Sequence, residues 1–145
     1  MNDVSPSVSD ELREQLDSGF GKVLGLQFRE LGPDRVTAEW TVRPELLQPF
    51  GIVHGGVHCA VVESLASTAG ALWLGDRGHV VGVNNTTDFI RAAREGVLTA
   101  EALPVHRGRT QQIWTVTITD AADRLIARGQ VRLQNIEDTG RIGAS

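Results

Sequence analysis

Hydrophobic and polar residues alternate along most of the chain, and in two places they follow a helical period instead. Alternation with β-branched and aromatic residues predicts strands over residues 23–31 and 35–42, which the turn residues Gly-Pro-Asp-Arg join into a hairpin. Further alternating runs cover residues 78–92, 97–107, 110–120 and 124–136, linked by the turns AREG, RGR and DAAD. The pattern therefore predicts an antiparallel sheet with mostly hairpin connections.

The first helical period lies near the N-terminus. Ser9 is a typical helix-capping residue, and apolar residues recur every four positions after it, at Leu12, Leu16 and Phe20. This spacing predicts a short helix that ends near Gly19 or Gly21.

The second helical period predicts a long central helix. Residues 56–74 contain no proline and are dominated by Ala, Leu, Val and Ser, which favours a helix of about five turns. One face carries larger side chains such as Val61 and Leu65, and the other carries mostly small ones, so we expect both faces to be buried. A strand pair, a long helix and four strands predict an α+β fold, in which one antiparallel sheet wraps a single long helix.

Composition places the chain among single-domain globular proteins. Of 145 residues, 41% are hydrophobic and 22% are charged, and the net charge of -4 argues against a nucleic-acid surface. Polar segments at 1–9 and 137–145 are predicted to be tails around a domain at 10–136. The N-terminus lacks the pattern of a secretory signal, and no apolar stretch reaches the roughly 18–20 residues of a membrane span. We therefore expect a cytoplasmic protein without membrane or nucleic-acid partners.

One carboxylate, Glu63, interrupts the otherwise apolar central helix. Carboxylates are rarely buried without a partner, and a desolvated carboxylate is suited to act as a base near neutral pH. An ordinary ion-paired glutamate is the alternative, because structural ion pairs are common. Its neighbours favour the chemical interpretation.

Those neighbours begin with His54, Gly55 and Gly56, where the central helix starts. The first amide N–H groups of a helix are unpaired and suit a developing oxyanion, and glycine lets a carbonyl group approach closely. Ser67 lies one helical turn beyond Glu63, where it can hold a water beside the carboxylate. A loop hinge at Gly-Gly, a capping or core role for His54 and a serine bonded within its own helix remain open alternatives.

The spacing of these groups predicts a shared site. Gly55 and Glu63 are separated by eight residues, which is about 12 Å along a helix. A base and an oxyanion donor that act on one carbonyl must each come within roughly 3 Å of the reacting atoms. If both act, the helix start of one subunit must face the carboxylate of another, as in a two-fold dimer.

The run QPFGIVHGGVHCAVVESLAS, at 48–67, resembles the signature of hotdog-fold acyl-CoA thioesterases of the PaaI-like and 4-hydroxybenzoyl-CoA thioesterase type. The resemblance extends over residues 23–135 and implies the hotdog fold. It implies that Glu63 is the catalytic base or nucleophile and that the Gly55 N–H binds the thioester carbonyl. It also implies that His54 and Gln48 orient the carbonyl or the leaving group, and that Ser67 holds the water or the carboxylate.

The same resemblance implies where coenzyme A binds. Pantetheine is expected along Gly82, Phe89, Ile90 and Arg91, and the nucleotide near His106, Arg107, Gly108, Arg109, Thr110 and Gln111. Arginine forks suit phosphate oxygens, although a solvated strand edge would carry arginines equally well. Many relatives read Arg-Pro where this chain has Arg91-Ala92, and some place a histidine at Phe89, so the local turn and the acyl contact are expected to differ.

The resemblance implies hydrolysis of an acyl-CoA to free acid and coenzyme A. A glutamate at position 63 points to aromatic acyl groups, such as hydroxybenzoyl or dihydroxynaphthoyl. The implied assembly is a homodimer with shared active sites, and a tetramer built from two dimers is expected. No cofactor is expected beyond the coenzyme A of the substrate.

Other activities compete with this interpretation. A hotdog dehydratase acting on a hydroxyacyl thioester, a non-catalytic acyl-CoA sensor and a carrier-protein thioester as substrate all remain open. We expect no metal site, because His54 and His58 are not part of an H-E-x-x-H pattern. No G-x-S-x-G motif marks a serine nucleophile, and Cys59 is most simply a small buried residue.

Overall fold

The computed structural model describes residues 8–137, so most of the two predicted tails, 1–7 and 138–145, lies outside the described part. The helices are α1 (Asp10–Leu16), α2 (Gly19–Leu24) and α3 (Gly55–Leu74). The strands are β1 (Gln27–Leu31), β2 (Val36–Thr41), β3 (Gly78–Phe89), β4 (Val97–Arg107), β5 (Gln111–Thr119) and β6 (Leu125–Glu137). Short 3-10 turns occupy Pro44–Leu46 and Gly75–Arg77.

The strands form one antiparallel sheet in the order β1-β2-β4-β5-β6-β3. Three tight turns, after β1, β4 and β5, join neighbouring strands as predicted. The long helix α3 packs on this sheet and contacts β2, β3, β4, β5 and β6. The predicted α+β architecture, a single long helix on one antiparallel sheet, is therefore confirmed.

The core lies between α3 and the sheet. Val61, Val62 and Leu65 of the helix are fully buried, and each contributes about 1.5–3 kcal/mol by leaving water. The approach is close because glycines face the contact: a Cβ at Gly129 of β6 would stand 2.6 Å from Val62 Cγ1, and one at Gly70 of α3 would stand 2.3 Å from Leu133 Cδ1. These glycines set how near the helix lies to the strands.

The prediction was wrong about where the N-terminal helix ends and where the following strand begins. Two helices replace one, since α1 ends at Leu16 and α2 continues to Leu24. The helix α2 therefore occupies the start of the strand predicted at 23–31. Gly25 ends α2 in the left-handed conformation, with φ 77°, and its N–H donates to the Lys22 carbonyl. The strand can begin only after that cap.

The predicted turn AREG is not a hairpin, because β3 and β4 are not neighbours. The segment 90–96 instead crosses the end of the sheet. Its Ile90 N–H donates to the Ile126 carbonyl of β6, its Ala93 carbonyl accepts from Val53, and its Gly96 carbonyl accepts from Val42. Pairing of β4 with β2 and of β3 with β6 forces this crossing, which carries the segment past the start of α3.

The length and apolarity of residues Gly55–Arg77 would suffice for a membrane span, contrary to the expectation from sequence. Half of the apolar window is nevertheless buried inside the chain's own fold. This segment is accounted for as the core helix.

We expect Gly129→Ala to lower the free energy of unfolding by about 1–3 kcal/mol, because the added Cβ overlaps Val62 and Thr87 Oγ1. Denaturant unfolding at one fixed protein concentration measures this. Gly32→Ala in the turn after β1 is the control, since its nearest atom lies 3.4 Å away, and it should stay within about 0.5 kcal/mol. The double variant Gly129→Ala with Val62→Ala should lose less than the sum of its two single changes. Additive losses would contradict a steric contact at this point.

Candidate active site

The start of α3 presents one free amide. His54 is the N-cap residue, and its Nδ1 accepts from the Gly56 N–H at 2.8 Å, while its carbonyl accepts from the Val57 N–H at 2.9 Å. Within the described residues, the Gly55 N–H has no acceptor. The donor predicted to bind the thioester carbonyl is therefore available at the positive end of a 20-residue helix.

A cleft of about 320 Å³ opens at this amide. It brings together five of the predicted site residues: Gln48, Gly55, Phe89, Ile90 and Arg91. The Gln48 Oε1 accepts from the Phe50 N–H, which leaves its NH₂ group to donate. The crossing segment 90–96 forms the wall of the cleft that carries Arg91.

Gly55 packs closely against the Phe89 ring. A Cβ there would stand 2.7 Å from the Phe89 ring, so the ring lies directly against the backbone that carries the free N–H. Phe89 itself is 56% exposed. Its ring borders both the amide and the open cleft.

His58 also lines this cleft, and sequence reasoning did not assign it to the site. It is only 4% exposed, its ring contacts those of Trp40 and Phe89, and its Nδ1 is buried without a hydrogen-bond partner among the described residues. Burial lowers the pKa of His58 from 6.5 to about 4, so the imidazole is neutral near pH 7. Its position three residues after Gly55, on the same side of the helix start, was the signal that could have found it.

Glu63 lies on a different part of α3, above the middle of β3. Its carboxylate carbon lies 3.5 Å from where a Cβ of Gly82 would stand, and its Oε1 accepts from Asn85 Nδ2 at 3.3 Å. Asn85 also donates to the Cys59 carbonyl at 3.0 Å, which fixes its amide between helix and strand. Asn85 was missed from sequence, although the adjacent asparagines of β3 interrupt its alternation.

The expectation that both faces of α3 are buried was wrong. Glu63 is exposed and borders an open cavity of about 570 Å³, together with Ser67, Asn85, Cys59 and Phe20. The sheet covers only one side of α3, and no described element of the chain lies over the carboxylate. Glu63 and Ser67 do share one face, as their spacing predicted.

Helix and strand give the same separation between the two halves of the site. Gly55 touches Phe89 and Glu63 touches Asn85. The eight residues from 55 to 63 rise about 12 Å along the helix, and the four residues from 85 to 89 advance about 13 Å along the strand. The two groups therefore open into separate cavities of one chain.

The second predicted coenzyme A segment lies at the opposite end of β3. Gln111 pairs with Gln134, which also pairs with Val81 near the start of β3, whereas Phe89 ends that strand about 26 Å further on. Asn135 of β6 holds the turn that joins β4 to β5. Its side-chain NH₂ donates to the carbonyls of Gly108 and Arg109, and its backbone N–H donates to the carbonyl of Thr110. His106 packs against the same turn at Gly108.

The arginines of this turn differ in what they contact. Arg107 donates to Asp34 at 2.6 Å and to the Pro33 carbonyl, and its guanidinium lies 5.8 Å from the Trp73 ring. Arg109 instead borders a cavity of about 240 Å³ together with Arg77. Arg109 is thus better placed than Arg107 to receive a phosphate.

The described residues contain no group of three His, Cys, Asp or Glu side chains that could hold a metal ion.

Comparison with known proteins identifies the family. The sequence profile of the thioesterase superfamily matches residues 50–127, more than half of the chain. The chain belongs to the thioesterase superfamily.

Solved structures and a named enzyme of this superfamily resemble the chain closely. The crystal structure of S. sahachiroi AziG is 61% identical, with a TM-score of 0.82 over 83% of this chain and 98% of that one. The structure of thioesterase HI1161 from Haemophilus influenzae is 31% identical, with a TM-score of 0.84 over 92% of this chain and 96% of that one. The 1,4-dihydroxy-2-naphthoyl-CoA hydrolase of Escherichia coli is 34% identical over 110 residues, 74% of this chain and 81% of that protein. These matches confirm the hotdog fold and support thioester hydrolysis as the class of reaction.

We expect Asn85→Ala to slow thioester hydrolysis about tenfold or more, because a hydrogen bond to a charged group contributes about 1.5–3 kcal/mol. The matched control is Asn84→Ala in the adjacent position, whose side chain accepts from Thr86 Oγ1 and should keep nearly wild-type turnover. Steady-state kinetics of both variants on one thioester substrate measure the difference in turnover. Equal rates for the two would show that Asn85 does not hold Glu63 for catalysis.

Proposed function

We propose that this protein hydrolyses acyl-CoA thioesters, with aromatic acyl groups preferred, to the free acid and coenzyme A. The observation that carries the proposal is the pair of half-sites on one helix: a free amide at Gly55 in one cleft, and a carboxylate at Glu63 held by Asn85 in another cavity. The aromatic preference rests on the glutamate and on the Phe89 ring beside Gly55. The dihydroxynaphthoyl-CoA activity in the name of the Escherichia coli relative lends it support.

Each polar group has a role that its present contacts allow. The Gly55 N–H would polarise the thioester carbonyl with the helix dipole behind it, a term that often dominates acyl-transfer catalysis. Glu63 would either activate a water or attack the carbonyl carbon to form a transient anhydride, with the thiolate of coenzyme A leaving. The free NH₂ of Gln48 and the unbonded side of the His54 ring would orient the thioester. Ser67, on the face of Glu63, would hold the water.

Two chains are needed to complete one site. For Glu63 of one chain to face Gly55 of the other, a two-fold axis must pass midway between them, near Cys59 on α3 and Thr87 on β3. The strand β3 suits this arrangement because, among the described strands, it pairs with β6 alone and offers 12 residues of free edge. We therefore propose a homodimer joined along β3. A dimer-of-dimers tetramer remains our expectation from the family.

The same axis accounts for the two distant coenzyme A segments. Arg91 stands by the Gly55 cleft, whereas the turn at 106–111 lies beyond the other end of β3. An axis near Thr87 would bring the turn of the second chain toward Arg91. We propose that Arg91 holds the pantetheine side and that Arg109 of the other chain reaches the nucleotide phosphates. No metal or further cofactor is part of this mechanism.

The direct test of the activity is thiol release over a panel of aryl-CoA and fatty-acyl-CoA thioesters. We expect turnover by the wild type, fastest on an aromatic substrate, and a loss of at least about a hundredfold in Glu63→Gln with little change in binding. Glu14→Gln on α1, an exposed glutamate that lines neither of the two cavities, is the control. Unchanged turnover in Glu63→Gln would remove Glu63 from the mechanism, and tight binding without any wild-type turnover would favour a sensor.

The shared site predicts recovery of activity by mixing two inactive variants. Gly55→Pro lacks the N–H, and its ring is compatible with the extended His54 backbone, with ψ 133°. Gly55→Ala is the matched control, since it meets Phe89 in the same way but keeps the donor. Re-associated Gly55→Pro and Glu63→Ala should regain about a quarter of wild-type activity, because half the random dimers each carry one intact site. Hybrids that form but stay inactive would contradict the two-chain site.

A further inference from the structure

His58 is the one buried histidine among the described residues, and none of its contacts satisfies it. It is a member of the Gly55 cleft, its exposed fraction is 4%, and its Nδ1 has no hydrogen-bond partner in the described part of the chain. Leaving a buried polar atom unpaired costs more than a typical hydrogen bond gains, so such atoms are rare and call for a partner.

Two aromatic rings pack against the imidazole. The Trp40 ring makes an edge-type contact with the imidazole, with ring centroids 5.9 Å apart, and the Phe89 ring is tilted against it at 6.0 Å. Trp40 is itself fully buried in β2. Trp40 Nε1 is likewise buried without a hydrogen-bond partner in the described part of the chain, so neither residue satisfies the other. The cleft that His58 lines is where a partner can enter.

The cleft is where the proposed substrate enters. His58 follows Gly55 by three residues, one turn of the helix, so an acyl group whose carbonyl binds the Gly55 N–H would extend beside the imidazole. The Phe89 ring lies against Gly55 in this cleft. It is 56% exposed, so it can shift without disturbing the core. The Phe89 ring and the imidazole, which both line the cleft, would stack against a flat acyl group.

We propose that His58 is a specificity-determining residue, which hydrogen-bonds a hydroxyl group on the aromatic ring of the acyl substituent. This inference rests on the proposed thioesterase function and deepens it.

A hydroxyl is the group that fits the imidazole in either tautomer. Neutral imidazole has one donor and one acceptor nitrogen, and a hydroxyl both donates and accepts. An ammonium group would only donate and an ether would only accept. A carboxylate would be left without a positive charge, since burial keeps this histidine neutral near pH 7.

The test compares benzoyl-CoA with its 2-, 3- and 4-hydroxy derivatives on the wild type, His58→Phe and His58→Asn. We expect the wild type to prefer at least one hydroxy isomer by about tenfold in kcat/KM, equivalent to about 1.4 kcal/mol. His58→Phe should abolish that preference, so that the ratio of kcat/KM between each hydroxybenzoyl-CoA and benzoyl-CoA falls to about one, whatever the change in kcat/KM for benzoyl-CoA itself. His58→Asn should retain part of it, because the asparagine amide stands near the position of Nδ1 and also donates and accepts.

The outcomes separate this inference from the proposed function. If the wild type hydrolyses all four thioesters equally, the role of His58 is overturned and the thioesterase function stands. The same holds if the preference for a hydroxyl group survives in His58→Phe. If the wild type hydrolyses none, the proposed function fails, and calorimetric affinities of the same four esters decide about His58. Equal affinities, or no binding, overturn it. If circular dichroism shows that His58→Phe does not fold, the isomer preference of the wild type and its change in His58→Asn still test the role of His58.

Discussion

Close packing of α3 on the sheet is the constraint on which the rest of the molecule depends. Gly129 of β6 lies under Val62, and Gly70 of the helix lies against Leu133 and Gln112, so neither position has room for a methyl group. At this separation Glu63 reaches β3 and Gly55 touches Phe89. A larger side chain at either glycine would lift the helix and change both contacts together, which ties the core to the chemistry.

The helix also keeps the amide at Gly55 and the carboxylate of Glu63 apart. Its only positive end is at Gly55, whereas the carboxylate stands more than two turns further on, and a rigid helix cannot bring the two closer. A single chain accordingly presents two incomplete half-sites, with Glu63 exposed above the middle of an edge strand. Pairing of two chains is the simplest arrangement that would use both halves.

The buried side chain of Gln112, in the half of the molecule around the end of α3, is fully hydrogen-bonded, in contrast to His58 Nδ1 and its neighbour Trp40 Nε1, which have no partner among the described residues. Gln112 is fully buried, and it donates to the Gly70 carbonyl and to Asn135 while it accepts from the Trp114 N–H. This network joins α3 to the turn at 106–111 through Asn135. His58 is buried to a similar degree in the other half, yet its contacts are aromatic rings. A buried group that the fold leaves unpaired beside a cleft points to a ligand.

The sequence by itself determined the type of the longer elements, the α+β class, the position of the central helix and the motif from His54 to Ser67, because these depend on local period and composition. It did not determine where α2 ends, since Gly25 acts there through a left-handed cap, nor that β3 pairs with β6, since pairing depends on residues distant in the chain. Only the tertiary structure decided that Glu63 faces outward and that Asn85 holds it. It also decided that His58 lies beside Phe89 at the Gly55 cleft. Each of those contacts joins elements whose relative placement no periodicity records.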